Sequence, residues 1–190
     1  MKSLNINFAI LILLIFLFTS SAIAQFTADM VMTENDITKT TKLIVEDPYY
    51  RMEMEEGGQQ LCILVNKNKQ ITDVVMPDQK MYMEISSSSM QSASNDVFQS
   101  IEKQKSTYDA KMVAKETVNG YECEKYEISD GGKLLSTYWQ SAELEFPIKV
   151  VTGVNQNMIM ELKNIKMGDV DDSLFKVPDG YMKMDMPGME

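Results

Sequence analysis

DPYYRMEMEEGGQQLCILVN, residues 47–66, is the stretch from which the rest of the chain can be read. Tyr50, Met52 and Met54 alternate with Arg51, Glu53 and Glu55. A period of two sends successive side chains to opposite faces of a strand. Asp47-Pro48 marks where the preceding strand breaks, because proline donates no hydrogen bond to a ladder. Gly57-Gly58 supplies a turn, and Leu61 to Val65 is a more continuous apolar run, the pattern of a central strand. An amphipathic strand, a glycine turn and a more buried strand together make an antiparallel hairpin within a larger sheet.

The same alternation extends both ways. Upstream, Phe26, Ala28, Met30 and Met32 share one face of a strand, Asn35-Asp36 turns, and Ile37 to Glu46 forms a second strand. Downstream, strands are expected at 70–76 and 80–85, with Pro77-Asp78 between them. A Ser/Gln-rich linker at 86–95 leads into a short amphipathic helix over 96–105, capped by Asn95 or Asp96. Strands resume at 111–118 and 121–129 around Asn119-Gly120, the strongest hairpin signal in the chain. Further strands follow at 134–140, 148–154 and 158–165, and a last one at 181–186. About ten short strands with one helical interruption describe a mainly β fold, a large curved antiparallel sheet.

The N-terminus carries an export pattern. Lys2 is followed by an uncharged apolar run, Phe8 to Phe18, then Thr19-Ser20-Ser21 and Ala22-Ile23-Ala24. Small residues at the first and third places of that triplet fit a signal peptidase, which places the cut after Ala24. A membrane-spanning helix needs about 20 apolar residues and the run is roughly half that. A lipoprotein would need cysteine where Gln25 stands. The expectation is therefore a signal peptide, 1–24, and a single exported, soluble domain, 25–190, in the periplasm or outside the cell.

Charge and composition narrow the chemistry. With Lys2 removed, 17 of the 18 basic residues remain against 28 acidic ones, a net charge of −11. A polyphosphate would be repelled, so nucleic acid is not an expected partner. The chain has no histidine, which removes imidazole-activated nucleophiles and imidazole metal sites. No carboxylate pair sits in a recognisable catalytic setting, and neither catalysis nor a resident cofactor is expected. Cys62 and Cys123 are too far apart for a local zinc or redox pair, leaving one disulfide or two buried thiols as alternatives.

Methionine is the unusual component. Excluding Met1, 16 of the 166 residues after the cut are methionine, and many recur two apart: Met30/Met32, Met52/Met54, Met81/Met83, Met158/Met160 and Met182/Met184/Met186. On strands each set shares a face, with polar residues at most of the alternate positions. Three readings stay open. Methionine can simply fill a core, it can line a cavity that repacks around varied apolar ligands, or its thioethers can hold Cu(I). For a cavity the candidates are Met30, Met32, Met52, Met54, Met81, Met83, Met158 and Met160, together with Trp139. For a soft metal they are Met182, Met184, Met186 and Met189.

Four segments carry a family resemblance: Asp47 to Glu53; Cys62 to Asn66 running on to Lys80-Met81-Tyr82-Met83; Asn119 to Tyr126 followed by Tyr138-Trp139 and Phe146 to Lys149; and Ser173 to Tyr181. In this order they resemble the fold of the periplasmic lipoprotein carriers, the LolA/LolB-like proteins. They are closer still to an uncharacterised exported bacterial domain-of-unknown-function family related to them. The resemblance implies an unclosed β half-barrel with an apolar concave side covered by one or two short helices. It also implies an apolar ligand, a lipid acyl chain or a lipidated protein. Two features of the carriers are missing: a lid helix at the N-terminus, and an arginine just before the strand-opening proline, where Glu46-Asp47 stands.

Overall fold

A computed structural model describes residues 24–86, 96–152 and 157–184. The alternating segments become strands β1 (Gln25–Glu34), β2 (Ile37–Glu46), β3 (Tyr49–Glu56), β4 (Gln59–Asn66), β5 (Ile71–Met76) and β6 (Met81–Ser86). After helix α1 (Val97–Thr107) come β7 (Asp109–Val118), β8 (Tyr121–Asp130), β9 (Lys133–Ser141), β10 (Phe146–Thr152), β11 (Met158–Met167) and the two-residue β12 (Met182–Lys183). All twelve join one sheet in the order β12-β6-β5-β4-β3-β2-β1-β11-β10-β9-β8-β7. Its two ends, β12 and β7, do not meet, so the barrel stays unclosed. The half-barrel expected from sequence is the fold found. Every neighbouring pair is antiparallel except β12 beside β6.

The turns follow their residues. Asn119 and Gly120 both take positive φ, at 51° and 89°, which suits the right-handed twist of the flanking strands β7 and β8. Pro147 lies inside β10 where the register with β9 slips by one residue, at a bulge that tolerates a missing donor. Asp96 caps α1, its Oδ1 accepting from the backbone N–H groups of Phe98 and Gln99 at 2.9 and 3.3 Å. The helix begins at Val97; Ser86, expected to open the linker, instead ends β6, and residues 87–95 lie outside the described residues, as do residues 1–23 of the signal segment and the chain beyond Met184.

Register defines two faces. On the inner face, one cross-strand row runs Phe26, Val45, Tyr50, Val65, Thr72, Ile85, and the next runs Ala28, Leu43, Met52, Ile63, Val74, Met83. On the other side of β1 a third row runs Met32, Met160, Val150, Tyr138, Tyr126, Met112. Helix α1 presses Val97, Phe98 and Ile101 into the main core that these rows build.

A smaller cluster on the outer face, Cys62, Leu64 and Val75, is covered by Tyr82, Val177 and Tyr181. Arg51 ties the C-terminal segment there. Its Nη1 donates to the Leu174 carbonyl at 2.9 Å and its Nε to Glu53 Oε1 at 2.8 Å, while Tyr49 stacks on Phe175 at 5.9 Å. The position of Arg51 on the charged face agrees with the alternation; its grip on the returning chain was invisible to it.

The cysteine alternatives are resolved. Both thiols are buried and free, Cys62 in the small outer cluster and Cys123 in the main core. The candidate bridge between them is not formed, because the fold assigns them to separate clusters. Burial raises both thiols above their ordinary range, so neither is poised as a thiolate.

Candidate functional site: the inner face beneath α1

The methionines divide by depth. Met30, Met52 and Met160 are 3%, 1% and 0% exposed, which makes them core rather than accessible wall. Met32, Met54, Met81, Met83 and Met158 share the inner face and are half-buried. Met32 stands directly opposite Met160, and Met52 connects to Met83 through Ile63 and Val74. All eight candidate methionines thus share one face, and five of them keep part of their surface exposed.

Trp139 departs from its expected place. Tyr138 faces inward, under Lys105 of α1 at 5.6 Å, so Trp139 next to it turns outward. There Lys125 and Lys149 lie over the indole at 5.0 and 5.2 Å, and Nε1 donates to Glu116 Oε2 at 2.8 Å. These contacts satisfy the ring's face and N–H, and with 8% of its surface exposed Trp139 is a buried member of the main core rather than an open part of the concave wall.

At the α1 end the inner face is plugged by aromatics. Phe98 meets Phe146 edge-to-face at 4.7 Å and Tyr50 at 5.6 Å, and Phe26 meets Phe146 at 5.7 Å. The helix is latched at its start: Tyr50 Oη donates to Asp96 Oδ2 at 2.5 Å, and Gln99 Nε2 donates to the same oxygen at 2.9 Å and to Thr72 Oγ1 at 3.1 Å. Ser136 Oγ donates to Gln104 Oε1 at 2.7 Å near its end. Complete burial pushes Asp96 above the usual carboxylate range despite these donors, and burial with the adjoining Asp96 charge keeps Tyr50 protonated.

Beside this plug a cleft of about 650 Å³ separates α1 from the sheet. Its apolar floor is Tyr50, Val65, Phe98, Phe146 and Pro147, and its rim carries Lys67, Lys103, Lys105, Glu102 and Glu145. Tyr50 and Val65 lie one row from Met52 and Ile63, so the floor continues into the methionine rows. Tyr138, pushed up to about 12 by burial and by neighbouring Tyr126 and Glu102, stays neutral at physiological pH. None of the candidate site residues chosen from the sequence lines this cleft. Its walls come from the packing of α1 over the hairpin between β9 and β10, which periodicity alone does not reveal. Among the described residues no group of three or more Asp, Glu, Cys or His is arranged to hold a metal, and no helix is long and apolar enough to cross a membrane.

The sequence matches a family model described as Domain of unknown function (DUF4412) over residues 27–145 and 135–181. No curated protein matches it. Among solved structures, an uncharacterized conserved protein from Thermus thermophilus superposes with a TM-score of 0.56 at 7% identity, covering 84% of this chain and 89% of that one. A LolA superfamily protein from Nitrosomonas europaea gives 0.39 at 11% identity, covering 83% and 91%. MucB in the Pseudomonas aeruginosa MucA/MucB complex gives 0.49 at 14% identity, covering 80% of this chain and 55% of MucB. At such identities the Thermus likeness is one of fold, and it spans nearly the whole of both chains.

Proposed function

The chain belongs to the DUF4412 domain-of-unknown-function family, and from that premise we propose that it is an exported, non-catalytic domain that binds the apolar chain of a lipid or of a lipidated partner. In this reading residues 1–24 are the export signal and 25–190 the single working domain. The observation that carries the proposal is the cleft under α1, whose floor is aromatic and aliphatic and whose rim is charged. Its volume lies within the usual range for small-molecule sites.

Affinity would come from burying methylenes, each about 0.8 kcal/mol. Two of the three rim lysines are already ion-paired, Lys67 with Asp47 and Lys105 with Glu102, so the rim is close to neutral and would meet a polar head group through Lys103 and Glu145. Helix α1 puts only three residues into the core, so it is the element that can lift to admit a longer chain. The half-buried methionines then supply a wall that repacks around it. A neutral, flexible thioether wall has no bearing on bond-making chemistry, and the reading requires no cofactor.

The test is a dansyl-labelled fatty acid titrated into the exported protein. Saturable, blue-shifted emission is expected, and it should vanish in Ser106→Trp, which fills the cleft mouth from an exposed position and leaves the melting temperature unchanged. Native mass spectrometry of protein taken directly from the exported fraction then identifies the natural cargo. No emission change with the wild type would sink the reading and leave a closed-core domain whose partner is another protein.

A further inference from the structure

The edge of the sheet at β5, β6 and β12 has a composition that the lipid reading does not use. The turn Pro77–Gln79 returns the chain so that Met81 stands opposite Met76. Strand β12 then runs parallel to β6 and sets Met182 opposite Met81. The backbone N–H of Met184 donates to the Tyr82 carbonyl at 2.8 Å, which carries the ladder on and places Met184 level with Met83. Strand alternation turns Met76, Met81, Met83, Met182 and Met184 to the inner face. Tyr82, Glu84 and Lys183 turn to the outer one, where Lys183 Nζ pairs with Glu84 Oε1 at 2.9 Å.

Five thioethers therefore occupy two adjacent rows on one side of a sheet edge. Directly opposite residues have Cβ atoms about 5 Å apart. An unbranched side chain with three rotatable bonds lets the sulfurs of one row converge on a single point without backbone movement. Core filling does not account for the placement, because Met182 is 63% exposed and its row partners are only half-buried. The neighbouring inner-face residues are Val74, Ile63 and Leu61, and these rows contain no carboxylate or amine.

We propose that this edge is a soft-metal site in which Met76, Met81 and Met182 ligate Cu(I), with Met83 and Met184 as donors in the adjoining row. Neutral sulfur donors with no hard oxygen among them select a monovalent soft ion over zinc, calcium or magnesium. Thioethers carry no proton to displace, so binding is insensitive to pH where imidazole and thiolate sites lose their metal. Ligation adds no charge on the protein side and adds to the ladder bonds and the Lys183–Glu84 pair that hold the two-residue β12 on the sheet edge. The site is separate from the cleft under α1, and neither depends on the other.

The experiment is an anaerobic competition for Cu(I) between the exported full chain and a chromogenic Cu(I) chelator, run at about pH 5 and about pH 7. The wild type is expected to withdraw copper from the chelator equally at both. Met76→Leu/Met81→Leu conserves volume and leaves the chain beyond Gly180 intact; it should lose the competition with an unchanged melt. Met186→Leu/Met189→Leu should keep it. With Ag(I) as a redox-inert probe, the methyl NMR signals of Met76, Met81 and Met182 should shift while those of Met52 and Met160 stay in place. Wild-type affinity in Met76→Leu/Met81→Leu would assign any copper to the C-terminal methionines alone and overturn the proposal. So would a wild type that takes no copper from the chelator.

Discussion

The inner face has two halves built from the same alternation and used differently. Beneath α1, Phe26, Tyr50, Phe98 and Phe146 lock together edge-to-face, with Met52 and Met160 sealed among the core. Toward β6 and along the strand ends, Met54, Met81, Met83, Met32 and Met158 keep part of their surface. Rigid rings with fixed mutual geometry define a single packing. Flexible thioethers tolerate many. The contrast teaches that one methionine pattern does two jobs, filling the core in one half and leaving a deformable, partly exposed surface in the other.

The largest effect that would break this comparison comes from equal truncations in the two halves. Phe146→Ala removes the ring that meets Phe26, Tyr50 and Phe98 and should cost about 3–5 kcal/mol. Met83→Ala, in a half-buried position, should cost only about 1 kcal/mol. Urea melts of both variants give the comparison directly, and equal losses would mean that the methionine half is as tightly packed as the aromatic one. The next largest effect is at the latch. Asp96→Ala removes the cap of α1 and strands the Tyr50 hydroxyl in the core, a loss of roughly 2–3 kcal/mol. Hydrogen exchange should then rise first along α1, since a helix with three buried side chains opens before the sheet does.

Much of this architecture was legible. Strand β2 runs over Ile37–Glu46 as its Thr, Ile and Val content requires, and α1 starts at the cap offered by Asp96. Alternation also placed eight methionines on one face. Depth was not legible, because period two says which way a side chain points and nothing about what lies above it. Met52 and Met54 are equivalent in the sequence pattern, yet Met52 is sealed within the main core and Met54 only packs against its margin. Tyr138 and Trp139 show the same limit: both are apolar and both end up buried in the main core, one under Lys105 of α1 and the other between Lys125 and Lys149, a difference that alternation alone does not give. The cleft, the Arg51 tie to Leu174 and the row of Met76, Met81 and Met182 join segments distant in the chain. Local periodicity carries no information about such meetings.

The smallest predicted effect sharpens the comparison most, because it concerns how firmly the closed half is closed. Asp96 is completely buried, and loss of hydration outweighs the hydrogen bonds it accepts from Tyr50, Gln99 and Phe98, so its carboxyl binds a proton more readily than in the unfolded chain. The sign follows from linkage. A group whose pKa is raised on folding adds stability below the ordinary carboxylate value of about 4, and that contribution is lost as pH rises through the raised pKa. The stability of the wild type relative to Asp96→Asn should therefore increase as pH is lowered from neutral toward that value, read as the difference in urea midpoint. Asparagine keeps an oxygen for the helix cap but puts an amide NH2 where Oδ2 accepts from Tyr50 and Gln99, a pH-independent offset, so the pH slope of the difference reports the charge. The latch on α1 therefore loosens as pH rises through the raised carboxyl pKa, and under the lipid-binding proposal this is the helix that lifts. A difference that stays flat with pH would show that water reaches Asp96 in the folded protein. The helix would then already be loose, and the division between a closed and an open half would not survive.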